Sequence, residues 1–223
     1  HIDLAKVVST ILLAAGADQR NADRVSEALV SSNLAGVDTH GVIHLPGYVK
    51  AIKEGAIVPT AWPELLNETS TSALVTGNWN FGHVTAKYAM EMAIKKARTH
   101  GMAIVGIVQT HHIGRLGEYA ELAASEDMIG LVWAGGYSEQ KPMAVPFGGR
   151  KPVLHTNPLA MGFPSGDEPT IVLDFATTAI AGSKVMLAQQ GGKPIPPNSI
   201  LDRYGNPTTD PAAFQDGGMQ LPF

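Results

Sequence analysis

Cysteine is absent from the 223-residue chain, which excludes a disulfide framework, thiolate zinc sites and a cysteine nucleophile, and suits a reducing compartment. The spacing of glycine is equally restrictive. Among 24 glycines no two are separated by a single residue, so a Gly-x-Gly-x-x-Gly dinucleotide fingerprint cannot occur anywhere. Gly192-Lys193 is followed by Pro194, so the Walker A phosphate loop fails as well. No serine sits between glycines in the pattern of a nucleophile elbow, and no histidine is followed by glutamate as a His-Glu-x-x-His zinc motif requires. Basic charge is also short. Lys+Arg 16 against Asp+Glu 20 leaves a net charge of −4, which gives a nucleic-acid partner no electrostatic support. Long apolar runs are missing too, because the charge-free stretches carry His, Asn, Thr, Gly or Pro; no segment reads as a membrane span or a signal sequence.

What is present is a globular composition, 44% hydrophobic and 16% charged, with enough chain for one large domain or two small ones. Leu4, Val7, Val8, Ile11, Leu12 and Ala15 recur at helical spacing and Gly16 follows as a C-cap. Asp18 is placed to cap a second helix carrying Ala22, Val25, Ala28 and Leu29, which ends near Gly36. Residues 55–70, with Gly55, Pro59 and Pro63, read as a linker. Ala86, Ala89, Met90, Ala93, Ile94 and Ala97 predict a third helix closed by Gly101. Met102–Val108 and Ile129–Trp133 read as strands either side of a helix over Leu116–Ala124, an alternation that predicts an α/β arrangement. Beyond residue 141 helices are expected to stop, with Thr170–Asp174 the clearest strand and residues 190–211 loop or turn. The division expected is an N-terminal helical segment, 1–70, and an α/β domain, 71–223.

Histidine supplies the candidate chemistry, because imidazole moves protons near neutrality. His40 and His44 stand four apart in a turn beside Gly41; the missing side chain there is expected to leave room for a small ligand, though a plain surface turn has the same look. Two imidazoles at this spacing could also hold a metal, but no acidic third ligand lies nearby. His111-His112 follows a strand, where ligands of α/β sheets tend to sit, or forms a polar loop. His155-Thr156-Asn157-Pro158 offers hydrogen-bonding groups or a mere Asn-Pro turn. Asp174 at a strand end could hold ligand hydroxyls or cap the next segment, and Lys184 could meet phosphate or simply be solvated. His83 and His100 read as solvated residues at helix ends.

Taken together, these segments resemble a known family. Asp38-Thr39-His40-Gly41-Val42-Ile43-His44-Leu45-Pro46-Gly47-Tyr48 resembles the Ser-His-Gly-x-x-Arg-x-Pro-x-Tyr motif of the second malate/L-lactate dehydrogenase family. Thr110-His111-His112-Ile113-Gly114 is similar to its Ser-Asn-His-x-Gly. Pro146-Phe147-Gly148-Gly149, His155-Thr156-Asn157-Pro158-Leu159, Asp174-Phe175-Ala176-Thr177-Thr178 and Gly205–Pro211 continue the match in order. The resemblance implies a non-Rossmann NAD(P)-binding α/β fold of the sulfolactate/malate dehydrogenase type, in a cytoplasmic homodimer. It implies hydride transfer between NAD or NADP and a small 2-hydroxy or 2-oxo acid. Alternatives are reduction of an imine carboxylate in the same site, or an inactive cofactor-binding fragment. By motif position His40 is the first candidate for the acid-base and His112 the second. His44, Tyr48, Thr156 and Asn157 fall on substrate positions, and Thr170, Asp174, Phe175, Ala176 and Lys184 on cofactor positions; no residue falls on a metal position.

Three departures bear on the expectation. His44 stands where the family has an arginine able to grip a carboxylate with two parallel bonds. His111 stands in place of asparagine, and His155 in place of glycine. The family also continues past the point matched by Leu221-Pro222-Phe223, so the resemblance implies a chain lacking the C-terminal third and the lysine found there in relatives.

Overall fold

The computed structural model describes residues 1–136 and 142–223. They form two compact units, His1–Gly130 with Gly162–Val172, and Leu131–Met161 with Leu173–Phe223.

The first unit opens with helices α1 (Ile2–Ala14) and α2 (Gln19–Leu34). Asp18 caps α2 as its sequence position predicts, its carboxylate accepting from the Asn21 N–H at 2.8 Å. Two short 3-10 turns, Asp38–His40 and Val42–His44, lead into α3 (Leu45–Lys53). The apolar stripes of the helices converge: Val8, Leu12, Val25, Leu29, Leu45 and Tyr48 share one core with Ile57, Phe81 and Val84. Packing therefore does not break at residue 70. Nor is 55–70 only a linker, because β1 (Glu64–Glu68) lies within it, antiparallel to β2 (Ser72–Thr76). All five β1 residues are exposed, so this edge strand carries no alternation that a sequence could display.

Next come α4 (Gly82–His100), β3 (Ile104–Val108) parallel to β2, and α5 (Gly117–Ala124). Gly101 takes the left-handed conformation that closes α4 (φ +83°). The helix begins four residues before its first predicted apolar position, which makes His83 part of its first turn.

A second sheet has the strand order β4-β5-β6, with β4 Gly130–Trp133, β5 Pro158–Phe163 and β6 Ile171–Ala176. In the second unit α6 (Gly182–Gln190) corrects the expectation that helices end at residue 141. Its one buried residue is Val185, too little to mark a helical stripe. Ile180, Val185, Ile195 and Ile200 form its core. Residues 190–211, expected as loop, contain the two-residue strands β7 (Ile200–Leu201) and β8 (Pro207–Thr208). The short helix α7 (Ala212–Gln215) and β9 (Met219–Gln220) follow. Among the described residues no helix is long and apolar enough to cross a membrane.

Candidate active site

The turn after α2 is organised by Asn33. Its Nδ2 donates to the Asp38 carboxylate at 2.5 Å and its Oδ1 accepts from the Val42 N–H at 3.0 Å. A Cβ on Gly41 would lie 2.2 Å from that same Oδ1. The space expected to admit a ligand beside Gly41 is thus filled by Asn33, and the glycine is required by this contact. The bracing sets His40 and His44 at the ends of successive 3-10 turns. Tyr48 follows one helical turn after His44, so their rings stack at 5.9 Å and 16°.

The second histidine segment reaches the same place from the end of β3. Tyr119, fully buried in α5, donates its hydroxyl to the Ile113 carbonyl. His111 N–H donates to the Asn80 carbonyl at 3.3 Å. So held, His112 shares a 2.7 Å hydrogen bond between its Nδ1 and Tyr48 Oη. Its ring stacks on His40 at 5.7 Å and 25° and lies 4.8 Å from His44. With Nδ1 engaged, Nε2 is the nitrogen left for a substrate. His44 Nε2 donates to the Thr39 carbonyl at 2.7 Å, and His40 Nδ1 lies 3.1 Å from Thr39 Oγ1. The four residues expected at motif positions in this segment, His40, His44, Tyr48 and His112, are brought together.

Their electrostatics follow from crowding. Burial pushes the Tyr48 phenol above its ordinary pKa, so it stays protonated. The His112 pKa is lowered, first by burial and then by the imidazoles of His44, His40 and His111. Part of the His112 surface is open to solvent, and water there screens part of that effect. Burial also lowers His111. Among the described residues no group of His, Asp or Glu is arranged to hold a metal ion.

His83 corrects the reading of a solvated helix-end residue: it is 1% exposed. Its ring stands edge-on to Tyr48 (5.7 Å, 72°) and His112 (6.1 Å, 84°). His100, in contrast, is exposed at the C-terminal end of α4, as expected. Sequence reasoning also missed Arg24 on α2. Its Nε donates to the His83 carbonyl at 3.3 Å, and its Nη1 pairs with the Glu118 carboxylate at 2.7 Å. Burial opposes the Arg24 charge, but Glu118, Tyr119 and Glu27 together outweigh it and the pKa is raised. A lone arginine in an amphipathic helix carries no signal of such a role. The signal for His83 was an earlier helix start.

The remaining candidates lie elsewhere in the chain. Thr170, half-buried, immediately precedes β6 in the first unit. In the second unit Asn157 Nδ2 donates to the His155 carbonyl at 3.0 Å, and Thr177 Oγ1 donates to Asn157 Oδ1. This clamps the start of β5 to the residue after β6. His155, Thr156 and Asn157 are half-buried. Asp174 is exposed near the end of β6, and half-buried Phe175 packs edge-on against Phe223 at 5.4 Å, with Ala176 next in the strand. Lys184 is exposed in the first turn of α6.

The sequence profile of the malate/L-lactate dehydrogenase family matches residues 1–223. The L-sulfolactate dehydrogenase of Methanothermobacter thermautotrophicus is 39% identical over 218 residues, 98% of this chain and 62% of that protein. Among solved structures, malate dehydrogenase from Entamoeba histolytica superposes with a TM-score of 0.93 at 32% identity, over 98% of this chain and 61% of that one. The delta1-piperideine-2-carboxylate reductase of Pseudomonas syringae pvar. tomato gives 0.92 at 31% identity, over 99% and 65%. The chain spans about three fifths of the length of these relatives. Whole-chain agreement in sequence profile and in backbone leads to one conclusion: the chain belongs to the malate/L-lactate dehydrogenase family.

Proposed function

We propose that this chain serves an NAD(P)-dependent oxidoreductase that interconverts a small 2-hydroxy acid and its 2-oxo acid, in a cytoplasmic homodimer. The observation that carries the reading is the 2.7 Å hydrogen bond between Tyr48 and His112 inside a cluster of imidazoles. The donor set of the second unit fits a nicotinamide dinucleotide: Asp174 offers a carboxylate for ribose hydroxyls, Phe175 and Ala176 an apolar surface, and Lys184 an ammonium at a helix N-terminus for phosphate. Thr170, in the first unit, keeps a cofactor role in this reading by motif position alone. When bound, the nicotinamide supplies or accepts the hydride at the acid's C2.

The chain's own task is the proton. As the C2 oxygen changes between alcohol and carbonyl, a neighbouring group must take or return its proton. His112 suits this through Nε2, since Tyr48 occupies Nδ1. His40, whose ring stacks beside it and whose Nδ1 meets Thr39, is the other candidate. The substrate's carboxylate would meet His44, whose Nε2 is already committed to Thr39. Nδ1 alone then remains, and it can donate to a carboxylate only in the protonated ring, a single contact where an arginine would make two. Thr156 and Asn157, in the second unit, keep a substrate role in this reading by motif position alone. The likeness to a piperideine-carboxylate reductase supports cyclic imine acids as the second substrate class.

The test is a fluorescence titration with NADH and NADPH, because Trp79 and Trp133 are both exposed. Quenching by one of them, followed by turnover with malate, lactate, sulfolactate or an imine acid, is the expected result. Absence of quenching by either would remove the proposal.

A further inference from the structure

The proton chemistry above leaves His83 unused, although it is fully buried beside the residues that perform it. Among the described residues neither of its ring nitrogens has a hydrogen-bond partner. An apolar side chain would fill the same place without stranding two polar atoms, so the imidazole's contribution must lie in its ring contacts.

Those contacts are closely specified. The Nε2–Cδ2 edge occupies the space a Cβ on Gly114 would need, 2.4 Å and 2.7 Å from that position. The ring stands nearly perpendicular to both Tyr48 and His112. Its backbone is tied through Arg24 to Glu118, which joins α2, α4 and α5 at this point. His112 is differently held. Its bond to Tyr48 restrains one ring nitrogen, but Tyr48 can itself shift, and rotation about Cα–Cβ and Cβ–Cγ can turn the ring away from that bond.

We propose that His83 is a positioning residue, a wall set crosswise to the rings of Tyr48 and His112, which sets the plane in which His112 presents Nε2. Burial first, then His112, Arg24, His44 and His40, hold the His83 pKa well below its ordinary value. The wall therefore stays neutral and does not repel a proton arriving on His112. The role rests on the reading of His112 as the proton carrier, but its test needs no turnover.

Long-range nitrogen-15 spectra of the histidine-labelled chain report the tautomer of each ring, with His112→Gln identifying the resonances of His112. In the unmodified chain His112 is expected to show two well-separated nitrogen shifts, the mark of one tautomer. In His83→Gln, verified as folded by its circular dichroism, the two shifts should move together as the ring leaves Tyr48 and its two tautomers exchange. His83→Phe, which keeps a ring edge, should restore the separation. An unchanged His112 pair in folded His83→Gln overturns the proposal, and so does averaging in His83→Phe as well as in His83→Gln. Should His83→Gln not fold, His83→Asn is judged by the same criterion. With a 2-oxo acid and NAD(P)H, His83→Gln is expected to lower kcat about tenfold and leave KM within about twofold, the pattern of a misaligned group. Failure to bind NAD(P)H would count against the oxidoreductase reading alone, since the spectra are recorded without cofactor.

Discussion

Around His112, five rings contributed by two loop segments and the helices α3 and α4 lie with centroids 4.8 to 6.3 Å apart, tied by Tyr48, Thr39, Tyr119 and Arg24. Around Asn157, in the second unit, the described side-chain links are Asn157 to His155 and Thr177 to Asn157, while Asp174 and Lys184 stand in solvent. Packing organises the first group and backbone turns the second. Groups that must move a proton along one direction gain from a rigid surround. Groups that hold a flexible, charged ligand need reach and hydration more than rigidity. Substitutions in the first region should therefore alter turnover and stability together, and those in the second should alter affinity alone.

The sharpest attempt to break this contrast is His112→Ala. Turnover should fall by about 10²–10⁴-fold, the usual worth of a positioned acid-base, with NAD(P)H affinity within about twofold. Steady-state kinetics beside a fluorescence titration checks both, and an equal loss in each would make His112 a structural residue. Next in size is Arg24→Leu, which leaves Glu118 without its partner. Urea unfolding should show a loss on the order of 3 kcal/mol, and a variant as stable as the parent would mean that the ion pair does not brace the cluster.

The third expectation concerns pH. His83 is neutral in the folded chain with its pKa held well below 6.5, whereas the unfolded chain takes up a proton below about pH 6.5. The unfolded state then binds more protons, so stability falls as pH falls. The loss begins at about pH 6.5 and grows as the pH is lowered. Unfolding curves across this window should show that slope, reduced in His83→Gln; a flat profile contradicts the buried neutral ring. The smallest effect is expected from Lys184→Ala: NAD(P)H affinity weaker by about three- to tenfold, in line with loss of one exposed charge contact, with the melting temperature unchanged. A shift in melting temperature would show that the second region is also organised by packing.

Much of this was legible in the sequence, and the reasons differ by residue. The opening helices could be read because Leu12, Val25 and Leu29 repeat with the helical period and Asp18 caps where it should. The meeting of His40, His44, Tyr48 and His112 was legible as motif positions, but their geometry was not, since residues 48 and 112 are joined by tertiary packing alone. β1 was missed because every residue in it is exposed, and α6 because a single buried valine leaves no stripe. His83 was misplaced because Gly82 and His83 open α4 ahead of its first apolar repeat. Gly41 was read as an opening because a sequence shows the missing side chain and not the Asn33 that fills its space.

Gly114 and His83 share one small volume, and this restricts how the protein can be altered. Residue 114 has a positive φ of +75° as well as the imidazole edge where its side chain would lie. Two separate demands thus fall on the same position, and relieving one leaves the other in force. Anyone altering this cluster of rings should treat positions 83 and 114 as a linked pair, exchanging them jointly or leaving both untouched.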